Sequence, residues 1–150
     1  MTATSDPKWV VLKFGGTSVS SRSNWQNIAG VIRQRVAAGA RVLVVHSAIS
    51  GITDSLEKLL GAALAGQFEE ALSTIENRHR QLAQELGIAP GTALDRYFAE
   101  LRAIASGLAL VGELSDRTRA QVMAAGELMA TELGAGFLRS QGIEVSWTDA

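Results

Sequence analysis

The chain has 150 residues, 47% hydrophobic and 19% charged, which describes a globular domain with a real core rather than a disordered segment. A net charge of −1 excludes a broad electrostatic footprint for nucleic acid or an anionic membrane surface. The absence of cysteine rules out disulfides, thiolate metal sites and cysteine nucleophiles. Residues 1–7 are polar and lack the apolar core of a signal peptide. No run approaches the ~20 apolar residues of a membrane span. A soluble, cytoplasmic protein is expected.

Residues 10–14 read as a buried strand. Ser23, with Gln26 three residues on, fits a capping box, and Trp25, Ile28, Ile32 and Val36 then recur on one helical face. Gly39 stops that helix, and residues 41–45 form a second apolar, β-branched strand. Strand, helix and strand in about 35 residues make a βαβ unit, so the strands are predicted to be parallel. Asp54 and Glu57 are read as the capping box of a helix marked by Leu56, Leu59, Leu60 and Leu64.

Two longer helices follow. Phe68, Leu72, Ile75, His79, Leu82 and Leu86 mark the first, and Leu94, Tyr97, Phe98, Leu101, Ile104 and Leu108 the second, across a break at residues 87–91 that contains Pro90. His79 stands between Arg78 and Arg80 and is expected at the surface. The helix pair reads as an excursion inserted between strands, with spare apolar faces that make a homodimer plausible. Ser115 is expected to cap a further helix that runs to Gln141 and stops at Gly142. Residues 143–147 are a third strand candidate. Trp9, Trp25 and Trp147 read as packing residues, and Arg117 and Arg119 as a solvated face or an interface. The fold class is α/β, a mostly parallel sheet sandwiched by helices. Three strands are few for such a sheet, and an edge would lie exposed. The chain is therefore expected to be the N-terminal piece of something larger.

Open parallel sheets bind ligands at the C-terminal ends of their strands. The first strand ends in Lys13-Phe14-Gly15-Gly16-Thr17-Ser18, a cation beside a bare stretch of backbone N–H groups, which suits a polyphosphate. Lysine precedes the glycines, so this is not a Walker A loop, and Gly-x-Gly-x-x-Gly is absent after the strand. The second strand ends in residues 47–53, small and hydroxyl-bearing with a glycine before a helix. Adjacent parallel strands would set the two loops side by side. Each residue also has a plainer role: Lys13 as a solvated strand end, the glycines as a turn, Ser47 as a partner of local backbone, and Thr53 as a helix start. The lysine and two glycines beside a second hydroxyl loop favour the ligand role.

KFGGTSV at residues 13–19 resembles the opening signature of the aspartate kinases, in the amino-acid kinase superfamily. VVHSAISGITD at 44–54 is similar to that family's next element, and the segment from Gly112 to Ile143 resembles its helix carrying a Gly-Glu pair. Together the three cover nearly the whole chain in the family's order. The resemblance implies the N-terminal part of a catalytic domain that transfers the γ-phosphoryl of MgATP to the side-chain carboxylate of L-aspartate, giving 4-phospho-L-aspartate, the opening step towards lysine, threonine and methionine. It implies that Lys13 contacts the ATP phosphates and stabilises the transferring group. Gly15 and Gly16 would offer N–H groups with Thr17 and Ser18 beside them, Ser47 and Thr53 would help hold the aspartate or the transferred phosphoryl, and Glu127 would pair with the substrate's α-ammonium. No protein ligand for Mg2+ is identifiable in the segment. The adenosine pocket and any regulatory ACT domains would belong to a downstream half. Ala130 replaces a serine carried by many members, and His46 stands where the family usually has an apolar or small residue. The alternatives are another member of the superfamily with a different acceptor, or a non-catalytic binding or assembly module.

Overall fold

β1 (Trp9–Phe14) and β2 (Arg41–His46) pair in parallel, in register from Trp9 opposite Arg41 to Phe14 opposite His46. The structure, a computed structural model, describes residues 8–89 and 91–149. The polar stretch at residues 1–7 and the part of Pro90 in the interhelical break lie outside them. Both strands alternate strictly: Val10, Leu12, Phe14, Val42, Val44 and His46 turn inward, while Trp9, Val11, Leu43 and Val45 stay exposed. The parallel α/β architecture matches expectation, but among the described residues helices cover only one face of the sheet. Trp9 is 64% exposed, so it does not pack as expected; it lies under the Arg41 guanidinium instead.

α1 (Arg22–Ala37) crosses back between the strands and buries Trp25, Ile28, Ala29 and Ile32. Its cap is Ser21, not Ser23: Ser21 has the extended backbone of an N-cap, and its hydroxyl accepts the Asn24 N–H at 3.4 Å. Val36, in the last turn of the helix, is exposed. α2 (Ile52–Leu64) starts from Gly51 at φ +83° with no side-chain cap. Asp54 sits inside the first turn, and Glu57 pairs with Arg119 instead of closing a capping box.

α3 (Glu69–Leu86) and α4 (Gly91–Val111) form the helical excursion and pack on α2 and on α5 (Asp116–Ser140). This uses most of their apolar faces, although Leu110 and Val111 remain exposed. His79 is fully buried, contrary to expectation. The four-and-three spacing that places Ile75 and Leu82 in the core carries His79 with them, and its ring meets Phe98 edge-on. α5 is capped by Ser115, whose hydroxyl accepts the Thr118 N–H at 3.1 Å. It ends before Gly142 at φ +74°.

Residues 143–147 do not form a strand. They keep a two-residue alternation, with Ile143 and Val145 against the core, but no ladder joins them to β2. A cleft of about 410 Å3, lined by Val42, Val44, Leu138 and Val145, lies between. α5 holds the segment by side chains: Arg139 Nε donates to Val145 O at 3.1 Å, and Trp147 Nε1 to Thr131 Oγ1 at 2.9 Å.

Candidate functional site

Parallel register brings both strands to an end at the same level, and the ladder extends one rung further, with Ser47 N–H donating to Phe14 O at 3.1 Å. The two loops therefore leave the sheet side by side, as the sequence predicts. Lys13 is exposed on the bare face, opposite Val45, and no ion pair among the described residues involves it.

Gly15 is extended and exposed, and among the described residues nothing beyond its chain neighbours lies within 4 Å of where a Cβ would stand. The chain then closes into a 3-10 turn over Gly16–Val19, an element the motif did not predict. The turn's carbonyls are tied inward: Thr17 O accepts Asn24 Nδ2 at 2.9 Å, and Val19 O accepts Trp25 Nε1 at 3.0 Å. Its first bond runs from Ser18 N–H to Gly15 O, so among the described residues the Gly16 and Thr17 N–H groups have no backbone acceptor. The cradle thus presents donors, as an anion requires.

Gly16 is glycine for a reason beyond the ligand. An added Cβ would lie 2.7 Å from Ala48 O and 3.4 Å from Ser50 N, so only glycine lets the turn press its backbone against the second loop. In that loop Ala48 and Ile49 are buried and anchor it, while Ser47 is half-buried. Thr53 is exposed in the first turn of α2, whose leading N–H groups lack a side-chain cap.

Glu127 reaches the site through its neighbour. A Cβ on Gly126 would lie 2.9 Å from Leu56 Cδ1, 3.1 Å from Ile52 Cγ2 and 3.3 Å from Ala48 Cβ. α5 can therefore lie directly on the start of α2 and on the second loop, which leaves Glu127 beside them, exposed and outside every ion pair of the described residues. His46 lies close enough for the Glu127 charge to act on it. Burial pulls the His46 pKa below its ordinary value, and the Ser47 carbonyl and Glu127 oppose this. The ring is neutral at pH 7, with Nδ1–H donating to Ser47 O at 2.9 Å and a T-shaped contact with Trp25, the ring centroids 5.3 Å apart. That makes His46 a packing residue behind the loop. Ala130, one turn beyond Glu127, is buried in the core.

The structure therefore gathers both loops and Glu127 at the strand ends, with Lys13 on the open side of the sheet and Glu127 on the helix-covered side. Sequence reasoning missed Gly126 as the contact that seats Glu127, and Ser20 as the link between the loops. The only signal for Ser20 was a serine-rich run, Ser18 to Ser23.

Several known proteins resemble this chain. The chain is 30% identical over 141 residues to an aspartokinase of Chlamydia muridarum, covering 94% of this chain and 30% of that protein. It is 32% identical over 145 residues to the chloroplastic aspartokinase 1 of Arabidopsis thaliana, covering 93% of this chain and 25% of that one. E. coli aspartokinase III, crystallised with aspartate and ADP, superposes with a TM-score of 0.79 at 29% identity, over 94% of this chain and 31% of that one. The chain thus spans about a third or less of the length of these relatives. The model of the amino acid kinase family matches residues 8–150. From its lysine-diglycine strand end to its Gly-Glu helix, this chain belongs to the amino acid kinase family.

Proposed function

We propose that this chain is the N-terminal part of the catalytic domain of an aspartate kinase, which transfers the γ-phosphoryl of MgATP to the side-chain carboxylate of L-aspartate. The observation that carries the reading is the seating of Glu127 beside the second loop, through the Gly126 contact with Ala48 and Ile52. Relatives named aspartokinase match 93–94% of the chain and support the choice of acceptor.

The chemistry needs little from the protein beyond alignment. A β-carboxylate, with an ordinary pKa near ~3.9, is already anionic at neutral pH. One of its oxygens attacks the γ-phosphorus, and the bond to the β–γ bridging oxygen breaks. ADP leaves with that electron pair, and an acyl phosphate, 4-phospho-L-aspartate, remains. No proton is taken from the nucleophile, so no general base is required. Lys13 offsets the charge of the transferring group, and the N–H groups of Gly15, Gly16 and the turn hold phosphate oxygens, with the Thr17 and Ser18 hydroxyls beside them. Ser47 and Thr53 hold the acceptor or the product phosphoryl, and Glu127 pairs with the α-ammonium. Mg2+ would arrive with the ATP phosphates; no group of three or more acidic or histidine side chains among the described residues converges to ligate it.

Steady-state kinetics of the full-length protein test these roles. Lys13→Ala is expected to cut kcat by about 100-fold or more with the aspartate KM nearly unchanged. Glu127→Ala is expected to raise the aspartate KM by about 10- to 100-fold, the cost of a lost charge-assisted hydrogen bond. Near-normal turnover in the first variant, or an unchanged KM in the second, removes the role assigned to that residue.

A further inference from the structure

Ser20, just past the 3-10 turn, joins the two loops of the site. Its hydroxyl donates to Gly16 O at 2.5 Å and accepts the Ser50 N–H at 2.9 Å. One side chain thereby uses its donor on the first loop and an acceptor on the second. The Ser20 carbonyl in turn accepts a 2.8 Å hydrogen bond from Arg78 Nη2, which reaches in from α3. The other terminal nitrogen of Arg78, Nη1, is buried with no partner among the described residues. Leaving a buried guanidinium N–H unpaired is costly, so packing alone would not choose an arginine here.

The base on which Arg78 stands is rigid. The next residue, His79, is buried against Phe98 of α4. A second strut runs the other way, from Arg22 Nη1 at the start of α1 to Glu85 O near the end of α3, at 2.9 Å. The helical excursion is thus fastened to the segment that follows the phosphate turn at two points, one of them Ser20 itself.

We propose that Arg78 is a positioning residue for phosphoryl transfer. By holding the Ser20 carbonyl, it fixes the turn against the second loop, so that Lys13 and the turn's N–H groups meet the γ-phosphoryl in line with the acceptor carboxylate. The proposal rests on the kinase reading above. A reaction that depends on alignment rather than on a base is sensitive to such a support: a shift of about 1 Å in the reacting groups can lower the rate about 100-fold.

The test is steady-state kinetics of Arg78→Ala, Arg78→Lys and Ser20→Ala in the full-length protein, with rates expressed per folded molecule. Arg78→Ala is expected to lower kcat by about 10-fold or more and to raise the MgATP KM, while the aspartate KM stays within about 2-fold. Arg78→Lys is expected to recover part of the loss, because an ammonium can donate to the same carbonyl. Ser20→Ala is expected to lower kcat in the same direction. A wild-type kcat in Arg78→Ala, or both KM values rising together with no recovery in Arg78→Lys, overturns the positioning role. If Arg78→Ala does not fold, an unchanged kcat in Arg78→Met, which keeps an unbranched apolar stem but has no donor for the Ser20 carbonyl, overturns it alone. Variants that match an active wild type remove only this role, whereas a wild type without aspartate-dependent turnover removes the kinase reading and this role with it.

Discussion

His79 shows how one buried side chain makes the whole fold sensitive to pH. Its Nδ1–H donates to Ile75 O at 2.8 Å, while Nε2 is buried with no partner among the described residues, so an N–H there would have no acceptor. Burial is the main cause of a pKa lowered to about 4; the Ile75 carbonyl opposes the shift and the Arg78 charge adds to it. A depressed folded pKa means that the unfolded chain binds the proton first. Stability is therefore full above about pH 6.5 and is lost progressively as pH falls to about 4. By pH 5 the loss is about 2 kcal/mol relative to pH 8. Denaturant unfolding of wild type and His79→Phe at both values checks this: the variant should lose less on acidification, and equal losses would assign the sensitivity elsewhere. His79 also marks a limit of reading the sequence residue by residue. Its flanking arginines pointed to the surface, but its spacing from Ile75 and Leu82 pointed inward, and the spacing decided.

At the level of elements, α1 and α5 meet through a glycine. A Cβ on Gly134 would lie 2.2 Å from Trp25 Cη2, and Trp25 is buried, with its indole N–H held by Val19 O at 3.0 Å. Gly134→Ala must therefore displace a fully packed ring and is expected to cost about 2–3 kcal/mol. Thermal and denaturant unfolding measure it, and a loss under about 0.5 kcal/mol would show that Trp25 has room to move. Such contacts also explain what the sequence could and could not show. The strands, the long helices and their stops follow from local signals: short apolar, β-branched runs, period-3.6 apolar spacing, Ser115 as a cap, and Gly142 as a stop, although the runs predicted buried strands and the structure leaves one face of each exposed. The lysine-diglycine turn and the second loop were legible because each is a short contiguous motif. Gly126, Ser20 and Arg78 were not, because their roles arise only when α5 and α3 pack against the loops. Residues 143–147 carry a strand's alternation, but a strand also needs a partner at ladder distance, and here the cleft intervenes.

The molecule as a whole has one feature that local signals leave unexplained. Trp9, Val11, Leu43 and Val45 make an apolar sheet face with no covering layer among the described residues. A parallel sheet is normally covered on both faces. That bare face accords with a chain that matches only 25–31% of the length of its aspartokinase relatives. On the proposed reading, phosphate and aspartate recognition belong to this chain. The acceptor on that reading is the aspartate carboxylate. The most direct measurement is trapping of the product acyl phosphate with hydroxylamine, using the full-length protein, MgATP and either L-aspartate or L-glutamate. The expected result is a hydroxamate from aspartate that depends on ATP and falls sharply in Glu127→Ala, with little from glutamate. No hydroxamate from aspartate, or an equal yield from glutamate, would contradict it.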